Sequence, residues 1–326
     1  MRLAATWHLL VAALFTAAAH AAPGPADDFP NRPVRLIVGF SPGGGADISA
    51  RIIATKASEI LGATIIIDNR PGAGANIAAE AVAKAKPDGY TLLHTTTAHA
   101  IAPSLYKKLN YDYLKDFAPI GPLGAAGFVL AVHPSLGVNT VGEFVTYAKK
   151  AKPSLSYGSS GVGGPSHLAT ELFTSMTGTD LQHVPYRGIN PALVDLLAGR
   201  APVGFMTLPT ALPLMRNKQI VALGLSSLQR SSLAPQLPTI AESGVAGYSA
   251  ETWYGALAPA GTPEAILDKL HAAFAQTMKD PGVQAKLLEQ GFDIRTGGRA
   301  EFGAYIRSET AKWTKIVKAA GVTAEE

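Results

Sequence analysis

The chain has 326 residues, with 28 Lys and Arg against 24 Asp and Glu, no cysteine, and apolar residues making up 47% of it. That length supports two lobes with substantial cores, and the lack of cysteine excludes disulfides and a lipid-attachment cysteine. The net charge of +4 is scattered without a basic run, which excludes a nucleic-acid interface and leaves only a mild attraction for small anions.

Met1-Arg2, the apolar stretch Leu9 to Ala19 and the small-x-small triplet Ala19-His20-Ala21 read as a secretory signal peptide over residues 1–21, cleaved before Ala22. The stretch is too short to anchor in a membrane, so the expected location is the periplasm. Next, Val34 to Phe40 reads as a strand, followed by Ser41-Pro42-Gly43-Gly44-Gly45-Ala46-Asp47 and a helix from Ile48 with Ile52, Ile53 and Ile60 on its apolar face. Three glycines expose backbone, and with Asp47 as N-cap the free N–H groups and positive helix end point back at them. An anion fits there. The Lys-Ser/Thr of a phosphate loop is missing, and Ile48 stands where a dinucleotide fingerprint has its third glycine, so a carboxylate is the expected anion. The competing reading is a tight turn closing a strand onto a helix. Arg51, four residues after Asp47, reads as its surface ion-pair partner.

Ala63 to Asp68 reads as a second strand, Asn69 to Asn76 as a second glycine loop entering a helix over Ile77 to Ala85, and Pro87-Asp88-Gly89 as a turn. Tyr90 to Thr95 is a third strand, whose exit offers the Thr96 hydroxyl and the His99 imidazole. This alternation implies an α/β fold with a mainly parallel sheet and ligands at the carboxyl ends of its strands. At Tyr157 the opening pattern returns as Gly158-Ser159-Ser160-Gly161-Val162-Gly163-Gly164-Pro165-Ser166, entering a helix with Leu168, Leu172, Phe173 and Met176 inside and Gly178 past its end. Strands follow at Leu181 to Val184, Val203 to Met206, Ile220 to Leu225 and Trp253 to Ala258. Thr262 reads as the cap of a helix with Pro263 at its first position, and Arg299 to Ala320 as the last helix.

These residues resemble a known family. Pro33 to Asp47, Asn69-Arg70-Pro71-Gly72-Ala73-Gly74, Lys86 to Leu92, Leu105 to Phe117, Tyr157 to Phe173, Val184-Pro185-Tyr186-Arg187-Gly188 and Pro238 to Gly244 are similar to the solute-binding proteins of tripartite tricarboxylate transporters, the Bug family. The resemblance implies a type II periplasmic-binding-protein fold: two α/β lobes joined by two crossing segments with a ligand cleft between them. Residues 22–124 and 251–326 would form lobe 1 and residues 125–250 lobe 2. It implies a monomeric receptor without cofactor or catalysis, which takes a small carboxylate, a dicarboxylate or an aromatic acid, and hands it to integral membrane transporter subunits. Ligand contacts carried over are Phe40, Ser41, Gly43, Gly44, Gly45 and Asp47 from the first loop, and Ser159, Ser160, Gly161, Gly163, Gly164, Ser166 and His167 from the second. Thr96, His99 and Tyr186 join them as further candidates. Two positions depart from the family pattern: Thr207 stands where an Asp is common, which disfavours amino-acid ligands, and Ala75 where a glycine is common.

Three rivals remain. A sensor module would share the same chemistry. A hydrolase built on Ser159, Ser160, His167 and Asp195 lacks the G-x-S-x-G frame. A metal site at His94 and His99 lacks further ligands in pattern. If backbone holds the anion, valine at Gly44 or Gly163 should block binding and Arg51→Ala should not.

Overall fold

The computed structural model describes residues 28–321 together with 323 and 324, so the expected leader lies outside the described residues. In chain order the elements are β1 (Val34–Val38), α1 (Gly45–Leu61), β2 (Ile65–Asn69), α2 (Asn76–Ala83), β3 (Thr91–Thr96), α3 (Thr97–Leu105), β4 (Phe117–Val132), α4 (Val141–Lys150), β5 (Leu155–Ser159) and α5 (Pro165–Thr177). They continue with β6 (Leu181–Pro185), α6 (Ile189–Leu197), β7 (Val203–Thr207), α7 (Leu208–Arg216), β8 (Val221–Leu225), β9 (Glu251–Pro259), α8 (Glu264–Lys279), α9 (Pro281–Glu289) and α10 (Arg299–Ala320).

The strands run β2-β1-β3-β9-β4-β7-β5-β6, with β8 also on β4. Only β1–β2, β1–β3, β5–β6 and β5–β7 pair in parallel, while β9 and β4 pair antiparallel to all their neighbours, so the sheet is mixed rather than mainly parallel. The reason is β4. It pairs with β9 from Phe117 to Gly127, then with β7 and β8 from Phe128 to Val132, and so carries the chain from one half of the sheet into the other. Pro119, Pro122 and three glycines hide this strand from a propensity reading. The register shifts between Pro119 and Gly121 and between Pro122 and Gly124 absorb them as bulges.

Each half is covered on both faces, which is why β3 is buried at all six positions. Ile53 and Ala57 of α1 and Leu270 and Phe274 of α8 close one face of the first half, with Val82 of α2, Ile101 of α3, and Phe302 and Trp313 of α10 on the other. In the second half Phe144 of α4 and Phe173 of α5 oppose Leu196 of α6 and Leu212 of α7. The result is two α/β lobes crossed by β4 and by the approach to β9.

α10 is fastened to β9 by Glu309, 7% exposed, whose Oε2 accepts from the indole N–H groups of Trp253 at 3.0 Å and Trp313 at 3.2 Å. Removing that carboxylate leaves two buried donors without an acceptor, each costing about 1–3 kcal/mol. Glu309→Ala should therefore lose about 2–6 kcal/mol in urea denaturation; a loss below about 0.5 kcal/mol would mean that water replaces the carboxylate.

Candidate ligand-binding cleft

The first glycine loop leaves β1 and enters α1. Its N-cap is Gly44, in extended conformation and without a side-chain cap, not Asp47. Asp47 falls inside the first turn, 3% exposed, because the helix already begins at Gly45. Its carboxylate accepts from Gly43 N at 2.9 Å, Arg51 Nε at 2.9 and 3.0 Å, and Asn69 Nδ2 at 3.0 Å. Burial works to raise this carboxyl, yet Arg51, Gly43 and Asn69 together hold it below the usual carboxylate range. Asp47 is the anchor of the loop, and Arg51 is its ion-pair partner as the i,i+4 spacing indicates.

The second loop, between β5 and α5, is framed from behind. Ser159 is fully buried, with Oγ 2.6 Å from His183 Nε2 and accepting from Gly161 N at 3.1 Å. His167 Nδ1 accepts from Gly163 N at 2.9 Å, and its ring stacks on His183 with centroids 3.9 Å apart. Ser160 faces forward: its N–H donates to Ser166 Oγ at 3.0 Å and the two hydroxyls lie 3.0 Å apart. Among the described residues no imidazole or carboxylate is bonded to Ser160, and Asp195 is taken by the Tyr186 hydroxyl and Arg200, so a triad of Ser160, His167 and Asp195 is not assembled.

Two further helix starts face the same space. Thr96 caps α3, a helix absent from the sequence reading, by accepting from Ala98 N at 3.2 Å; His99 closes the capping box, its Nδ1 accepting from Thr96 N at 3.0 Å. Thr207 is the N-cap residue of α7, with Oγ1 3.1 Å from Thr210 Oγ1.

Between the lobes lies a narrow cavity of about 50 Å³. Of the expected residues, Phe40, Ser41, Gly44, Gly45, Thr96, Ser160, Ser166 and Thr207 line it. Gly43, Asp47, Ser159, Gly163, His99 and His167 do not line it but hold the lining loops from behind, and Gly161 lines a separate groove. Tyr186 lies outside, against that groove. Sequence reasoning missed Ala46, Pro165, Thr252 and Tyr254, and the apolar walls Phe128, Ile189, Phe205 and Met206. Thr252 and Tyr254 flank Trp253 on β9, and the period-two alternation of a strand was the signal that could have found them.

Among the described residues, no charged side chain lines the cavity. Part of its neutral lining sits instead at the amino ends of four helices: Gly44 to Ala46 before α1's first helical bond at Ile48, Thr96 at α3, Pro165 and Ser166 before α5's first bond at Leu168, and Thr207 at α7. The positive ends of these helices, with the first-turn N–H groups that capping leaves free, as at Gly45 and Ala46, suit an anion. Ser41 Oγ is buried without a partner, and burial pushes the Tyr254 phenol up, which keeps it a donor. The lobes touch on both sides of the cavity. Tyr106 Oη donates to Val162 O at 2.9 Å, and Asn190 Nδ2 donates to Pro42 O.

This architecture has known counterparts. Residues 49–322 match the model of the tripartite tricarboxylate transporter family receptors, TctC. The chain belongs to that family. Protein BugT of Bordetella pertussis is 32% identical over 96% of this chain and 97% of its own length. Among solved structures, a Rhodopseudomonas palustris protein with adipate is 37% identical at a TM-score of 0.88, covering 91% of this chain and 99% of its own. The periplasmic binding protein BugD is 31% identical with a TM-score of 0.87, covering 91% of this chain and all of its own. MatC of Rhodopseudomonas palustris with bound malate is 30% identical with a TM-score of 0.84, covering 89% and 100%. The type II periplasmic-binding-protein fold and the solute-binding family are thereby established for this TctC receptor.

Gly163 has φ +68°, and a Cβ there would stand 1.6 Å from Leu105 Cδ2 in the opposite lobe. Gly44 is less demanding than expected: its φ is −79°, and its Cβ would meet Ile189 Cγ2 at 3.3 Å. Gly163→Val should therefore prevent the lobes from meeting and lose binding at least tenfold, while Gly44→Ala keeps it within a few-fold by calorimetry; equal effects would refute this contrast.

Burial holds His94 and His167 down to about 3 and His99 and His183 to about 4, with a neighbouring imidazole adding to the effect at His94 and His167. The unfolded chain titrates near 6.5, so between about pH 6.5 and 4 it binds more protons than the folded one. Stability contributed by the neutral rings is complete above about pH 6.5 and falls as pH drops through that window. The urea midpoint should be flat from pH 7 to 8 and decline steadily from 6 to 4; a flat profile down to pH 4 would contradict the neutral assignment.

Proposed function

We propose that this receptor captures a small dicarboxylate between its lobes in the periplasm and delivers it to the membrane subunits of a tripartite transporter. We place the lobe boundaries close to Gly124 in β4 and Ala250 before β9, and assign ligand contact to the lining residues of the cavity. The observation that carries the reading is the absence of charge from a cavity met by four helix starts. Donors come from both lobes, with Thr207 Oγ1 and Tyr254 Oη both close to Gly45, and Phe40, Phe128, Ile189, Phe205 and Met206 supply apolar lining. Neutral donors from two lobes beside apolar walls suit a ligand that carries carboxylate acceptors on an apolar chain, such as the adipate carried by a relative. An α-ammonium group would be taken from water without a carboxylate to meet it, since Asp47 is occupied and Thr207 is neutral. Aromatic acids rank second, with Phe40 as a ring neighbour.

A thermal-shift panel tests this. A ligand at about 100 times its dissociation constant adds about 2.7 kcal/mol, worth a few degrees for a chain of this length. Adipate- and malate-like acids should raise the melting temperature and amino acids should leave it unmoved. Thr207→Asp, which puts a like charge into the cavity, should weaken dicarboxylate binding about tenfold or more. Stabilisation by amino acids alone, or an unaffected Thr207→Asp, would overturn the reading.

A further inference from the structure

Outside the uncharged cavity, and sharing Ser160 with it, a groove of about 630 Å³ runs along the seam between the lobes. One wall is formed by Gly72 to Gly74 with Tyr106, Lys107, Lys108 and Asn110, the other by Ser160 to Val162 and Pro185 to Arg187. Lys107 and Lys108 project from the first wall and Arg187 from the second, all three exposed. No described acidic residue lines the groove, and none of the three forms an ion pair among the described residues, whereas Arg51, Arg70 and Arg200 nearby are matched to Asp47, Asp68 and Asp195. Positive charge is thus left uncompensated on both sides of the seam, directly outside a cavity that carries none.

The two environments do different work on an anion. Exposed, solvated cations add little to affinity, but clustered at a cleft mouth they raise local anion concentration and on-rate, by 10-fold or more at low salt. Neutral donors inside act at short range, and decide how long the anion stays. We propose that the groove is the entry funnel for the anionic ligand, with Lys107, Lys108 and Arg187 as steering residues that set association and not dissociation. The proposal rests on the carboxylate reading given above. Because the cations are divided between the lobes, both rims of an open cleft carry the field. Ala324 also lines the groove, its N–H donating to Leu105 O, and Glu325 and Glu326 follow it outside the described residues.

The first measurement needs no ligand. Amide relaxation enhancement by a carboxylated nitroxide, compared with its neutral carbamoyl analogue, should show an excess at Gly74, Gly161 and Val162. That excess should vanish in the triple variant Lys107→Gln, Lys108→Gln, Arg187→Gln. In stopped-flow binding of adipate, the variant should associate about tenfold more slowly than wild type at low ionic strength, equal it in high salt, and keep the wild-type dissociation rate. Equal relaxation by the two nitroxides in wild type would overturn the funnel, and so would a variant whose loss lies in dissociation. Should adipate not bind at all, the ligand class proposed above fails, and the nitroxide comparison alone decides on the funnel.

Discussion

A carboxylate leaving water for a cavity without a positive side chain must have its oxygens met by hydrogen bonds, or it does not enter. That constraint organises this protein. Four helices begin at the cavity, and each leaves first-turn N–H groups or a hydroxyl at its end because the first intrahelical bond has not yet formed. Neutral donors of this kind also set the pattern of sequence around them. Glycine is needed where a lobe-facing backbone must come close, as at Gly163 against Leu105, and threonine or serine where a hydroxyl must reach in.

The charged and titratable residues close by serve the loops. Asp47 ties Gly43, Arg51 and Asn69 together, while His167 and His99 each offer a ring nitrogen to one backbone N–H of a lining loop. The acceptor must be neutral, and burial keeps it so. These groups give the lining its shape without presenting charge to it, so shape and ligand chemistry are separately adjustable. The long strand β4 and the segment before β9 then let two such half-sites face each other.

Much of the fold was legible because its signals are local. The glycine loops, the alternation of strand and helix, and the last helix, Arg299 to Ala320, all follow from short-range pattern. β4 was not, since its prolines read as breakers and only tertiary pairing with β9, β7 and β8 makes it a strand. α3 was missed because Thr96 and His99 look like loop donors until the capping box is seen. For the site, residue type located the loops but could not tell the front from the back. Ser159 and Ser160 are neighbours of identical chemistry, yet one is buried against His183 and the other faces the cavity. Tyr254 was passed over for a different reason: strand alternation marks its face, but not which loop that face meets. It comes from a distant strand, and only pairing of β9 with β3 and β4 brings its hydroxyl to Gly45.

The most direct test of neutral-dipole capture is a crystal structure of the protein with adipate in the cleft. One carboxylate should accept from the backbone N–H groups of Gly45 or Ala46 or from Thr207, and the other from Ser166 or Ser160, with no Lys or Arg side chain in contact. A carboxylate seated on a basic side chain, with those N–H groups turned to water, would contradict the account.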